Sequence, residues 1–68
     1  MYVKDFVNEK YESGEVLLDT TVIVQSNEGE TISSMSVEDL LDSDADAVYL
    51  EVYSDDIDDD DNLVVVVE

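Results

Sequence analysis

Twelve aspartates and eight glutamates are the only reactive side chains this 68-residue chain carries in quantity. There is no His and no Cys, and the two lysines, Lys4 and Lys10, both lie in the first ten residues. The usual nucleophile and base pairs therefore cannot be assembled, and catalysis is left with paired carboxylates, which a chain so rich in Asp contains by composition alone. No enzyme activity is expected. Hard cations are the next chemistry open to carboxylates, and Asp42, Asp44 and Asp46 have the spacing of the first three ligands of a Ca²⁺ loop. The pattern then fails, with Ala47 where the sharp turn needs Gly and Tyr53 where the bidentate Glu belongs. The sequence predicts no specific metal site and no cofactor.

What remains is the charge itself. Residues 11–68 hold eighteen carboxylates without a single cationic side chain, so the whole formal charge of −18 lies beyond Lys10. A duplex sets out its phosphates at about 3.4 Å of rise per strand, and an extended chain rises about 3.3 Å per residue. Acids on a strand or extended loop can thus reproduce the spacing of nucleic-acid phosphates. Asp55, Asp56, Asp58, Asp59, Asp60 and Asp61 are the densest such array, with Asp42, Asp44, Asp46 and Glu51 available nearby in sequence. A solvated loop that only keeps an apolar sheet soluble is the simpler reading of any one such run, but solubility asks for a net charge of only about 2 to 8 in a small domain. Crowding of like charges further predicts carboxyl pKa values that rise on folding.

These acids need a scaffold, and the apolar residues outline one. Val3, Phe6, Val7 and Tyr11 recur at helical spacing, with Gly14 as the stop. Thr20 to Ser26 alternates as a strand, Asn27-Glu28-Gly29-Glu30 has the composition of a hairpin turn, and Thr31 to Met35 is the returning strand. Ser36 is placed to cap a short helix through Val37–Leu41. Val48 to Ser54 alternates again, and the run 55–62 links it, as a mobile acidic loop, to the apolar strand Leu63–Val67.

The expected architecture is one α+β domain spanning residues 1–68, with the N-terminal helix packed on a mainly antiparallel four-stranded sheet in the order α-β-β-short α-β-β. With Leu63, Val65 and Val67 beneath the helix beside Val48, Leu50 and Val52, the residues Val64 and Val66 fall on the opposite side with Tyr49 and Tyr53. That face predicts an interface with a partner or a homodimer, unless the linker at Val16–Leu18 or the short helix covers it. The first residues lack the apolar stretch of a secretory signal, and no run approaches a membrane span. A cytoplasmic protein without membrane contact is expected. The scarcity of Ala, Gly and Arg argues against acidity as a mere adaptation to high salt.

A short amphipathic helix, the segment DTTVIVQSNEGE, the connection MSVEDL and the closing strands AVYLEVY and NLVVVV together resemble small phage and prophage proteins. The acidity resembles phage-encoded DNA mimics, among them anti-CRISPR proteins, anti-restriction proteins and inhibitors of uracil-DNA glycosylase. That resemblance implies a non-enzymatic inhibitor, acting in the host cytoplasm, whose acids occupy the basic nucleic-acid site of a host nuclease or other nucleic-acid-binding protein. It implies no direct binding of nucleic acid. The alternative is a small structural or assembly protein that works through its Tyr/Val sheet face and uses its acids only for solubility.

Overall fold

Helix α1 covers Val3–Glu12 and buries Val3 and Val7, one turn apart, with Phe6 packed half-buried against the core and Tyr11 exposed at the far end of the stripe. The computed structural model describes all of residues 1–68. After α1 the chain runs through β1 (Thr21–Ser26), β2 (Thr31–Ser36), α2 (Val37–Leu41), a single 3₁₀ turn (Asp46–Tyr49), β3 (Val52–Ile57) and β4 (Leu63–Val67). The sheet order is β2-β1-β4-β3. Both hairpins are antiparallel, whereas the central pair β1 and β4 is parallel, with Val22 beside Leu63 and Val24 beside Val65. The expected α+β architecture is the one observed.

The core lies entirely on one side of the sheet. Its eleven buried residues come from α1, the linker, β1, α2, the 3₁₀ turn and β4, and all belong to one cluster. Val22 and Val24 of β1 and Leu63, Val65 and Val67 of β4 supply the sheet half, since alternate residues of a strand share a face. Val37 and Leu40 of α2 complete the roof beside α1. Ser36 caps α2, its Oγ accepting from the Asp39 N–H at 3.1 Å, which satisfies one of the donors a helix start leaves open. Because α2 and Val16 both join the cluster beneath α1, neither covers the opposite face of the sheet. Ile23, Gln25, Val64 and Val66 line that open face, each half-buried by its neighbours alone.

One stretch departs from its sequence pattern. Val48 to Ser54 was expected to form a continuous strand, but Asp46–Tyr49 forms the 3₁₀ turn and β3 begins only at Val52. The N-terminus explains the change: Tyr2 bridges to Glu51, the Val3 N–H bonds Leu50 O at 3.0 Å, and the Val52 N–H bonds Met1 O at 2.9 Å. The chain turns there and drops Val48 into the core. At its other end β3 is longer than expected and includes Asp55, Asp56 and Ile57, which pair with Val65, Val64 and Leu63. Each edge strand carries one extra residue, Ile32 in β2 and Tyr53 in β3, where the register skips a position. Such bulges bend an edge and discourage unwanted pairing.

Candidate functional site: two acidic arrays and an open sheet face

Of the twenty carboxylates, nineteen are exposed and only Asp58 is partly buried. Four meet a cation: Glu51 the terminal ammonium at 2.7 Å, Asp44 the Lys4 ammonium at 3.7 Å, and Glu15 and Asp55 the Lys10 ammonium at 3.3 and 4.0 Å. The other sixteen have no ion pair. In a sheet protein with a complete apolar core, these charges play no part in packing.

The candidate acids form two separate arrays. Lys4, in the first turn of α1, donates to Ser43 O at 2.9 Å and so sits against the segment Asp42–Asp46. Lys10, in its last turn, reaches Asp55. Asp44 and Glu51 therefore lie near one end of the helix, with Asp42 and Asp46 beside Asp44 in sequence, and Asp55 lies near the other, roughly 9 Å of helix rise away, with Asp56 and Asp58–Asp61 following it along the chain.

The second array is built rather than loose. Asp55 and Asp56 lie on β3, on opposite faces, since Asp55 pairs with the core residue Val65 and Asp56 with the open-face residue Val64. Beyond them the chain closes a turn in which the Asp58 N–H bonds Asn62 O and the Asp61 N–H bonds Asp58 O, both at 3.1 Å. The Asp58 carboxylate accepts from the Asp60 and Asn62 N–H groups, both at 2.9 Å, and from the Asn62 side-chain amide at 3.1 Å. Asp61 takes the left-handed conformation, φ 63°, which Asp tolerates better than most side chains. The mobile loop expected from the sequence is thus a hydrogen-bonded turn. Asp58 is its keystone, and its oxygens point into the turn rather than toward a partner.

Two carboxylates, Asp58 and Glu15, are shifted opposite to the expected rise. The Asn62 backbone N–H, helped by the Asn62 side chain and the Asp60 N–H, holds the Asp58 carboxyl below the usual aspartate range. The Ser13 hydroxyl and the Lys10 ammonium lower Glu15 in the same way. For these two acids, donors to the ionised form outweigh crowding. Glu15 also lines, with Phe6, Glu9, Lys10 and Ser13, a shallow depression of about 290 Å³ beside α1.

The aromatic residues separate as well. Val64 and Val66 lie on the open face as expected, but Tyr49 does not join them. Carried on the 3₁₀ turn, its ring stands edge-on to Tyr2 at 6.0 Å, its face lies 5.8 Å from the Lys4 ammonium, and its hydroxyl donates to Asp44 at 3.0 Å. Tyr53 is the bulge residue of β3, two-thirds exposed. Ile23, which pairs beside Val64, was missed as a member of the open face although its alternation with Val22 and Val24 marks it. The role of Asp58 was missed too, and its signal is the spacing Asp58-x-Asp60-x-Asn62, in which an Asp side chain can bond the backbone two residues on.

No group of three or more carboxylates is disposed to hold a metal ion. No helix is long and apolar enough to cross a membrane. No protein-family model matches the chain, and no curated protein or solved structure matches it either.

Proposed function

We propose that this protein is a non-enzymatic acidic inhibitor that occupies the basic nucleic-acid-binding surface of another protein, its carboxylates standing where phosphates would lie. The reading rests on one observation above all: a closed turn at the end of β3 holds Asp59, Asp60 and Asp61 in place on a scaffold whose packing has no use for them, whereas Asp55 is drawn to Lys10 and Asp56 bonds the Ile57 N–H. A held array meets a rigid cationic groove without the ordering cost a flexible tail would incur. Asp59, Asp60 and Asp61 are the foremost phosphate replacements, because their side chains make no hydrogen bond within the chain. Asp42 and Asp46 form a second, smaller contact, while Asp44 and Glu51 are already engaged. A host nucleic-acid-processing enzyme met in the cytoplasm is the target class, as in the phage inhibitors the sequence resembles.

The uncovered face with Ile23, Val64 and Val66 favours a second reading, a small interaction or assembly protein that docks a partner or dimerises there, its acids serving solubility. Charge separates the two. Capture of the target from a host lysate on immobilised protein, followed by elution with duplex DNA or with rising salt, is the test. A mimic releases its target to DNA and to salt, and changing Asp56, Asp59, Asp60 and Asp61 to Asn while keeping Asp58 weakens capture and flattens the salt dependence. Capture that DNA cannot reverse and that the Asn variant retains in full removes the mimic reading and leaves the apolar face.

A further inference from the structure

The two edges of the sheet are treated unequally. Along β3 the Val52 N–H is taken by Met1 O at 2.9 Å and the Ile57 N–H by its neighbour Asp56 Oδ1 at 2.8 Å, and the strand itself carries Asp55 and Asp56. Covered donors and edge charges are how a sheet refuses an added strand. Along β2, Thr31–Ser36, no hydrogen bond from outside the β1 ladder reaches the backbone. The strand reads Thr-Ile-Ser-Ser-Met-Ser, without one charge in a chain that is 32% charged. Its only protection is the bulge at Ile32, whose side chain is itself exposed. Acids stand at both ends of this bare edge: Glu28 and Glu30 in the turn before it, Glu38 and Asp39 in the first turn of α2 after it.

We propose that the outer edge of β2 takes up an extended, Lys/Arg-bearing segment of a partner protein as an added fifth strand. Backbone hydrogen bonds of the ladder supply affinity, as in other strand-addition complexes. The acids at either end select for cationic side chains. A second copy of this chain is disfavoured as occupant, because edge-to-edge pairing would set two bodies of charge −18 side by side. This inference deepens the reading of the partner as basic and rests on it, adding a backbone contact to the charge contact.

The test uses the full-length ¹⁵N-labelled protein and a synthetic peptide of alternating Lys and Val, as long as β2. A second peptide of the same sequence, N-methylated at every residue, keeps the charge but has no N–H on either edge with which to extend the ladder. Amide hydrogen exchange and chemical-shift titration are read along both edges. The expected result is slowed exchange within Thr31–Ser36 but not within β3, with the N-methylated peptide binding about tenfold or more weakly, from a few lost hydrogen bonds. Equal binding of both peptides, protection on β3 instead, or no binding of either at low salt overturns the edge site. So does protection of β2 that appears without peptide and grows with protein concentration, which would make the occupant a second copy. None of these outcomes touches the inhibitor reading, which fails separately, through the lysate capture and DNA displacement.

Discussion

Val65 and Val66 are adjacent in β4, share one chemistry and one strand, and differ in the face they occupy: Val65 is fully buried and Val66 half-buried on the open side. Replacing each by Ala in turn measures how one-sided the core is. Val65→Ala removes two buried carbons, about 1.6 kcal/mol at 0.8 kcal/mol each, and the void left between α1 and the central strands raises this to about 2–3 kcal/mol. Val66→Ala loses partly exposed carbons with no layer above them, where water fills the space, and costs about 0.5–1 kcal/mol. The loss of β propensity is common to both and cancels in the comparison. A domain of 68 residues has about 3–10 kcal/mol of stability in all, so Val65→Ala lowers the melting temperature by about 10–20 °C and Val66→Ala by a few degrees. Urea denaturation followed by far-UV circular dichroism reads both. Equal costs, or a cost for Val66→Ala that grows with protein concentration, would show that a second copy covers the open face and would refute the one-sided core.

Two further outcomes follow from the charges. The folded-state pKa of Asp58 is lowered, so its stabilising contribution is complete above the ordinary aspartate value of about 3.9 and disappears as pH falls through the folded value; Asp58→Asn is therefore less stable than wild type at neutral pH, by a gap that closes in acid, and urea melts in which the gap widens on acidification would contradict the turn geometry. With sixteen carboxylates unpaired on a body 28 Å across, raising NaCl from 0.01 M to 0.15 M shortens the screening length from about 30 to about 8 Å and should raise the melting temperature in calorimetry, and a fall would mean that local pairing outweighs repulsion.

The elements with strong local signals were legible in the chain. The spacing of Val3 and Val7, the alternation around Val22 and Val24, and Ser36 ahead of two acids each name an element from neighbours close in sequence, and each stands where it was read. What failed depends on residues far apart. Val48, Leu50 and Val52 alternate as a strand would, yet Tyr2 bridges to Glu51 and turns the segment into a 3₁₀ step. Asp55 and Asp56 are poor strand formers, but Val64 and Val65 hold them in the ladder, so the partner strand overrides propensity. The parallel pairing of β1 with β4 leaves no mark in either strand. The carboxylates were visible as candidates, but hydrogen bonding divides them: it spends Asp58 on its own turn and leaves Asp59, Asp60 and Asp61 free.

That central parallel pair also sets how the chain finds its shape. The hairpins β1-β2 and β3-β4 each close over a few residues, and such turns form within microseconds. Neither holds a core alone, because the buried faces of β1 and β4 meet only where Val22 comes to Leu63, about forty positions away along the chain. The loop-closure entropy of that encounter must be met before apolar burial returns anything, so docking of the two halves is slower than closure of either hairpin. Until the two halves dock, the inner edges of β1 and β4 are both unpaired. Self-repulsion among the carboxylates then keeps such half-formed chains apart while the sheet assembles.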